Sequence, residues 1–402
     1  MIHSSAYKPR IFPVFSDVAD TEIDRVQDLS STATLNRTKI EEVGRVGIVD
    51  WRKTTPTIGV TVRQLEYGNM EFFRQIANKG NTVSQISWTD FSTSAVDIAG
   101  YKTDDNGTFL GTIWYPNLRV SGFGLTIGAP DALIERNFNF MGEDEIALIN
   151  NNKYLIRKRY IISTTGNNRT VTLGTDPTPV ADPDNSGQIL FKVVKISGGT
   201  ATELTYGTEW STDGVTLTIN GSSTTGDVIW AWFSAGSYIA GESTFVNNNA
   251  DVAGITADAC TILLANSTTV SRLQNISIDT SIDRRDLREI GTESIVQRGV
   301  RDITNRVTLG RILENYTIEE FLRNKQNQSY GKIDVRELGS NFKLIVKIYS
   351  NSNKTTFKLG YEYTDLAPTT INAGAPVNDY ITAGDTLEGE TGFCSSVEAI
   401  LV

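Results

Sequence analysis

The stretch RVQDLSSTATLNRTKIEEVGRVGIV at Arg25–Val49 returns later in the chain as RLQNISIDTSIDRRDLREIGTESIV at Arg272–Val296. Aligned without a gap, the two stretches share 8 identical residues out of 25, and most other positions exchange similar residues. Further along, YGNMEFFRQ at Tyr67–Gln75 matches YTIEEFLRN at Tyr316–Asn324. Self-similarity of this kind indicates that one structural unit has been duplicated, and it decides how the rest of the chain is interpreted.

The match continues beyond these segments. A GAP tripeptide occurs at Gly128–Pro130 and again at Gly374–Pro376, and Gly142-Glu143 corresponds to Gly389-Glu390. The two copies therefore run from about 25 to 148 and from about 272 to 398. We predict four regions: an N-terminal arm at 1–24, the first copy at 25–150, an inserted domain with its linker at 151–255, and the second copy at 256–402.

Within each copy, alternating apolar and polar residues predict β-strands around one short helix. In the first copy, Phe72, Phe73 and Ile76 share one face of the helix predicted at Glu71–Lys79. In the second copy, Thr317 and Glu320 stand at capping-box spacing. The predicted fold class is mainly β: two barrel or sandwich units, each with one short α-helix, and an inserted domain.

The inserted domain has no counterpart in either copy. Short strand-like runs recur between turns rich in Gly, Asp, Asn and Pro, such as DPTPVADPDNSG and NGSSTTG. Strands at this spacing predict a small immunoglobulin-like β-sandwich.

Composition limits the class of protein. Apolar residues make up 39% of the chain and charged residues 21%, which is typical of a folded soluble protein. No run approaches the roughly 20 apolar residues of a membrane span, and the two cysteines are too few for a disulfide framework. We therefore expect synthesis in a reducing cytoplasm and no membrane partner. The net charge of −10, without a basic stripe, argues against sequence-specific binding to nucleic acid.

No catalytic constellation stands out. The single histidine, His3, excludes a histidine-based triad in the globular part and a multi-histidine metal site. DPDNSG at Asp182–Gly187 begins like a calcium loop, but Val193 stands where a bidentate glutamate is needed. We therefore expect neither enzymatic activity nor a metal or cofactor.

Two segments predicted as long loops, Arg45–Lys53 and Thr292–Thr304, carry large apolar side chains. Such residues need burial, either in the core of their own domain or against a partner, and the sequence leaves both possibilities open. As candidate contacts between subunits or between rings we select Val46, Ile48, Val49, Trp51, Ile295, Val296, Val300 and Ile303.

The duplicated unit resembles the tail tube proteins of tailed bacteriophages. The resemblance rests on the order of features in both copies. A strand pair reaches Glu42-Val43-Gly44 or Glu289-Ile290-Gly291, and a loop, a strand and one short helix follow. A later strand pair ends near Gly-Glu, within FNFMGE at Phe138–Glu143 in the first copy.

This resemblance implies a structural virion protein, assembled in the host cytoplasm, that polymerises as stacked rings into the tail tube through which DNA is ejected. It implies rings of six units, hence a homotrimer with pseudo-sixfold symmetry, with hexameric rings as the alternative. The implied partners are the protein itself, the tape measure in the lumen, terminator and baseplate or tip proteins, and in a contractile tail a sheath. Genome DNA would pass without specific binding, and the two long loops would form ring-to-ring contacts.

A second hypothesis comes from a different class. A multi-domain surface protein or adhesin would bind glycan through the insert, where Trp230 and Trp232 lie two residues apart on one strand face. That hypothesis predicts independent domains and a monomer. Imaging of the purified protein would separate the two hypotheses.

Overall fold

The computed structural model is mainly β, as expected, and contains one α-helix among the residues it describes. The described residues are 6–35, 37–40, 50–53, 55–104, 108–128, 131–149, 154–174, 177–180, 190–214, 216–238, 254–264, 268–270, 272–287, 297–312, 339, 341–374 and 382–401.

The first copy contains β1 (Ala6–Pro13), β2 (Thr21–Glu22), β3 (Val26–Thr34), β4 (Arg37–Ile40), β5 (Asp50–Lys53), β6 (Thr57–Leu65), α1 (Glu71–Ile76), β7 (Gln85–Ser87), β8 (Val96–Thr103), β9 (Phe109–Ile127), β10 (Glu135–Gly142) and β11 (Ile146–Leu148). The insert contains β12 (Tyr154–Ile161), β13 (Arg169–Thr172), β14 (Lys192–Ser197), β15 (Thr200–Glu203), β16 (Trp210–Thr212), β17 (Thr216–Ile219) and β18 (Val228–Ala235). The second copy contains β19 (Cys260–Leu264), β20 (Thr268–Thr269), β21 (Leu273–Leu287), β22 (Gln297–Ile312), β23 (Phe342–Tyr349), β24 (Phe357–Gly374), β25 (Thr382–Gly389) and β26 (Thr391–Ser395).

Strand β9 connects the two sheets of the first copy. Its N-terminal half pairs with β8 and β11, and its C-terminal half pairs with β10. The change of sheet lies near Asn117, whose φ of 51° is left-handed, a conformation that asparagine tolerates better than most residues. Because side chains alternate between the two faces of a strand, Ile58, Val60 and Val62 of β6 all point into the core.

The second copy repeats this geometry in detail. Leu29 lies opposite Val62 in the first copy, and Ile276 lies opposite Leu309 in the second. The β3–β6 and β21–β22 pairs both shift register at the position after their first paired residue. Arg25 and Arg272 both have a φ of 57°. The duplication read from the sequence is therefore also present in the backbone.

The segment predicted as an N-terminal arm is instead part of the first copy, so that prediction is wrong. Strand β1 pairs along its whole length with β8, and Ile11 and Phe12 are buried. Strand β19 pairs with β23 in the same way, although the sequences of β1 and β19 show little similarity. The sequence did not predict this strand because Pro9 and Pro13 lie within it, and proline normally indicates that a segment is not a paired strand.

The insert is a sandwich of a four-stranded sheet, ordered β12–β18–β14–β15, and a three-stranded sheet, ordered β13–β17–β16. Its own core includes Trp210 and Phe233. A second apolar cluster joins it to the first copy, where Trp114 packs with Trp230 and Trp232. Because this surface is buried on both sides, the insert is docked on the first copy.

Candidate assembly interface

The two copies share one continuous antiparallel sheet. Its strands follow the order β3–β6–β10–β9–β21–β22–β25–β24, so β9 of the first copy pairs directly with β21 of the second. In this β9–β21 junction the register runs from Ile127 opposite Ile276 to Gly122 opposite Ser281. The copies are therefore joined edge to edge by main-chain hydrogen bonds.

Two glycines of β9 allow the close approach at the junction. A Cβ atom on Gly122 would lie 2.7 Å from the carbonyl oxygen of Thr280. A Cβ atom on Gly124 would lie against the side-chain amide of Asn137 and 3.1 Å from a carboxylate oxygen of Asp279. Larger residues at either position would push the two strands or their side chains apart.

Arg284 of β21 ties the second copy to carbonyl groups of the first. Its guanidinium donates to the carbonyl oxygens of Val120 at 2.7 Å, Ser92 at 3.0 Å and Phe91 at 2.6 Å. Burial, together with smaller effects of the positive charges of Arg119 and Arg298, lowers the pKa of Arg284 to about 10. The side chain still remains charged at neutral pH, so these hydrogen bonds are charge-assisted.

A buried polar group also spans the copies. Arg136 and Glu66 of the first copy form a fully buried ion pair at 3.2 Å. The hydroxyl of Tyr361, from β24 of the second copy, donates to the same Glu66 carboxylate at 2.8 Å. Burial, followed by the charge of Glu66, raises the pKa of Tyr361 well above its ordinary value, so the hydroxyl stays a donor.

Helix α1 covers this region with aromatic side chains. Phe73 packs edge-on against Phe123 and Phe138 of its own copy, and also against Tyr361 of the second copy. Trp88 contacts both Phe123 and Tyr363. A second strand pairing adds to these contacts, because β7 of the first copy lies beside β26 of the second. The helix predicted in the second copy lies outside the described residues.

The two outer strands of the sheet are complementary. In the part of the chain that the structure describes, β3 pairs only with β6, and the C-terminal half of β24 pairs only with β25. Strand β3 corresponds to β21, and the C-terminal half of β24 corresponds to that of β9. Within the described residues, the sheet therefore ends on one side with the β21-like strand β3 and on the other with the β9-like half of β24, and each of these strands has one edge without a paired strand.

The exposure of equivalent residues agrees with this interpretation. Leu35 is 62% exposed, whereas its counterpart Ile282 at the junction is 2% exposed. Arg37 is exposed, whereas its counterpart Arg284 is buried. The first copy thus has side chains equivalent to those of the junction, but no strand among the described residues lies beside them.

The face of this sheet that points away from the core is polar. One row across it runs Asp28, Arg63, Asn137, Gly124, Asp279, Arg306 and Glu388. Arg63 pairs with Glu135 at 2.7 Å, and Arg306 lies 3.8 Å from Glu388. Neighbouring rows contribute short polar side chains such as Ser30, Thr61, Asn139 and Ser281. Both arginines of the row are therefore flanked by carboxylates.

The structure describes only some of the interface residues selected from the sequence. Val46, Ile48, Val49, Ile295 and Val296 lie outside the described residues, as does the side chain of Trp51. Val300 and Ile303 are partly buried against the core of their own chain. The predicted loop boundaries were wrong, because Asp50–Lys53 forms β5 and residues 297–304 belong to β22.

Sequence reasoning missed Arg284, Gly122 and Tyr361. A signal for Arg284 existed, since it is one of the eight identities of the repeat, aligned with Arg37. The described residues contain no group of three or more His, Cys, Asp or Glu side chains placed to hold a metal ion. Nor does any helix among them have the length and apolarity needed to cross a membrane.

The geometry thus defines a duplicated, mainly-β protein whose two copies join edge to edge. No family model and no curated protein matches the chain. Among solved structures, one similar chain comes from the sheath–tube complex of an extracellular contractile injection system, PVC, in its extended state. It has 15% identity and a TM-score of 0.28, and the match covers 39% of this chain and 100% of that one.

A second similar chain belongs to the tube-terminating cap of the anti-feeding prophage, with 14% identity, a TM-score of 0.29, and coverage of 38% of this chain and 100% of that one. A third, from the baseplate of the same particle, has 11% identity and a TM-score of 0.25, and covers 36% of this chain and 93% of that one. Likeness at these TM-scores assigns no function to this chain.

Proposed function

We propose that this protein is a structural subunit of a tail-like tube and that its sheet closes into a ring through the free strands β3 and β24. The β9–β21 junction carries this proposal, because it displays within one chain the contact that the two free strands would make between chains. The sequence resemblance to phage tail tube proteins supports the same assignment and adds no catalytic role.

The junction also fixes the register of the proposed contact. Transferring the β9–β21 pairing to the equivalent strands pairs Ser31 with Ala373, Thr32 with Asn372 and Ala33 with Ile371 of the next chain. Such a contact is heterologous, since one edge meets a different edge, and repeated rotation either closes a ring or produces a helix. With the six units implied by the resemblance, three chains complete the ring.

Closing the ring would also remove exposed strand edges. Unpaired strands expose main-chain donors and acceptors and tend to aggregate unless they are covered. Strand β11 would gain a neighbour as well, because its counterpart β26 is already paired with β7 inside the chain. The exposed Ile149, next to β11, lies at this second edge.

In the proposed ring the polar sheet face lines the channel. The arginines on this face lie beside carboxylates, and the neighbouring rows carry short hydroxyl or amide side chains. A polyanion that moves along this face therefore meets no isolated positive charge. DNA would therefore pass without specific binding. In this proposal the particle is a virion assembled in the host cytoplasm, with tape-measure, terminator, baseplate or tip, and sheath proteins as further partners.

The adhesin hypothesis receives no support from the tryptophans of the insert. Stacking on a sugar requires an exposed aromatic face, but Trp210, Trp230 and Trp232 are all buried. Trp230 and Trp232 pack between the insert and the first copy.

A disulfide cross-link tests the proposed contact directly. Thr32→Cys and Asn372→Cys, combined in one chain, should give cyclic trimers on oxidation, visible on non-reducing gels and as rings by negative-stain imaging. Thr32→Cys combined with Thr202→Cys, on an exposed strand of the insert, is the matched control and should not cross-link. A protein that stays monomeric at all concentrations and forms no Thr32–Asn372 cross-link would refute the proposal.

A further inference from the structure

A lysine of the insert lies against a side-chain amide of the first copy. Lys192, at the start of β14, places its Nζ 2.6 Å from the side-chain oxygen of Asn117 in β9. Since a C=O bond is about 1.2 Å long, the amide carbon Cγ of Asn117 lies no more than about 3.8 Å from Nζ. That limit is close to the separation of about 3–3.5 Å at which two atoms are placed to react.

A carboxylate lies beside both of these groups. Asp97 accepts from Nζ of Lys192 at 3.0 and 3.3 Å and from the main-chain N–H of Asn117 at 2.8 Å. The side chains of Lys192 and Asp97 are 3% and 0% exposed, and the ring of Trp232 lies 5.0 Å from Nζ. An amine, a carboxamide and a proton carrier therefore meet in a place that is nearly free of water. These are the groups that transfer of an acyl group from one nitrogen to another requires.

We propose that Lys192 and Asn117 form an isopeptide bond and that Asp97 carries the protons in this reaction. The charge pair between Lys192 and Asp97 is the state before the reaction. Asp97 first takes a proton from Nζ, which leaves a neutral amine beside a neutral acid. This transfer is less unfavourable here than in water, because burial removes the hydration of both charges.

The bond then forms by addition and elimination. Nζ adds to Cγ of Asn117, and the bond between Cγ and Nδ2 breaks. Two of the three protons of Nζ pass through Asp97 to Nδ2, which leaves as ammonium, and Asp97 returns to its carboxylate form. The products are one secondary amide and one ammonium ion, so the reaction consumes no oxidant, reductant or cofactor.

The surroundings favour one such bond in each chain. Asn117 is exposed and lines a crevice of about 610 Å³, through which the ammonium ion can leave. In the second copy, Asp365 and Lys343 take the positions of Asn117 and Asp97, and no insert supplies an amine. The bond would connect the insert to the first copy covalently. This inference does not depend on the proposed tube function.

The mass of the purified full chain tests the proposal. The wild type should be lighter than its sequence requires by about 17 Da, the mass of one ammonia molecule, and a tryptic digest should contain a branched peptide that joins Lys192 to Asn117. Lys192→Arg should have the full mass, because a guanidinium group does not add to the amide. Lys195→Arg changes a lysine of the same strand, is the matched control and should keep the mass loss.

Asn117→Gly removes the amide without disturbing the main chain, since glycine readily adopts the φ of 51° found at this position. It should also have the full mass, and it decides the question if Lys192→Arg fails to fold. Asp97→Asn tests the proton carrier and should reduce the rate of linkage at least about tenfold, because general acid–base catalysis contributes about 10²–10⁴-fold.

Two results would overturn the proposal. One is a wild-type chain that keeps its full mass after days at pH 7. The other is a mass loss that persists in Asn117→Gly, because ammonia would then have left another residue.

Discussion

Arg37 and Arg284 occupy the same position in the two copies, yet Arg37 faces solvent while Arg284 is buried against three carbonyl groups of the other copy. The backbone around them is also equivalent, since Arg37 lies opposite Lys53 and Arg284 opposite Val300 in hairpins of matching register. In the proposed ring, Arg37 would reach the carbonyl of Pro368 of the next chain, the counterpart of Val120.

This relationship predicts different outcomes for the same substitution. Arg37→Gln should leave the circular dichroism and unfolding temperature of the monomer unchanged but weaken assembly, measured by sedimentation velocity. Arg284→Gln should destabilise the monomer itself by on the order of 3 kcal/mol, because charge-assisted hydrogen bonds are lost and buried carbonyls remain unpaired. Wild-type assembly by Arg37→Gln would contradict the equivalence of the two contacts.

The junction glycines give a second prediction. Gly122→Ala should lower the free energy of unfolding by about 1–3 kcal/mol, because the added methyl group meets the carbonyl of Thr280 in the paired strand. Gly384→Ala, in β25, has nothing within 4 Å of the added carbon and serves as the control. Urea denaturation of both variants measures the difference. Equal stability of the two variants would contradict the prediction, because it would show that a methyl group at residue 122 does not disturb the pairing of β9 with β21.

The hydroxyl of Tyr361, which donates to Glu66 of the other copy, gives a third prediction. Tyr361→Phe should destabilise the chain by about 1.5–3 kcal/mol, since a buried carboxylate loses a hydrogen bond. Tyr349→Phe removes a similar bond, to the partly exposed Glu398 at 2.9 Å, and should cost less because water replaces the lost donor. The free energy of unfolding of both variants is measured by chemical denaturation at pH 7. A larger loss of stability in Tyr349→Phe would argue against close packing between the two copies at Tyr361.

Docking of the insert depends on a buried charge pair. Lys192 donates to Asp97 at 3.0 Å and to the side-chain oxygen of Asn117 at 2.6 Å. Lys192→Met should destabilise the chain by about 3–5 kcal/mol, because Asp97 is left buried without its cation. Adding Asp97→Asn should restore part of the lost stability, because the amide is neutral and its oxygen can still accept from the main-chain N–H of Asn117, which lies 2.8 Å from the Asp97 carboxylate. A double variant no more stable than Lys192→Met would point to lost packing rather than an orphaned charge.

The thiols give a prediction about pH. Burial raises the pKa of Cys260 from 9.0 to about 12, and burial likewise raises the pKa of Cys394. Both should resist a thiol reagent at pH 8–9 and react fully in guanidinium. Since the folded state holds these protons more tightly, their contribution to stability is complete below pH 9 and declines as the pH rises toward 12. Rapid labelling of either cysteine in the native protein would show local opening of its strand.

The repeat was visible in the sequence because side chains that pack at the junction, such as Arg284 and Ile282, have an identical or similar residue in the first copy, Arg37 and Leu35. The strand β1 was not, since burial against β8 constrains Ile11 and Phe12 only to be apolar, which leaves no recognisable motif. The same limit hid the junction, because glycine at Gly122 could equally have indicated a turn or a bulge. Edge-to-edge pairing depends on main-chain atoms, and main-chain atoms leave little trace in the side-chain sequence.

Docking of the insert on one copy alone has a consequence for symmetry. The position of Asp97 is taken by Lys343 in the second copy, because both residues lie at the equivalent register shift beside β9 or β24, and Lys343 forms an ion pair with Glu362 at 3.0 Å. A second insert would therefore find no anion for its lysine there. In a ring of three chains, the wall would repeat six times to anything inside it. On the outer surface, units that carry an insert would alternate with units that carry none. A partner that binds this surface would therefore find only three equivalent binding positions.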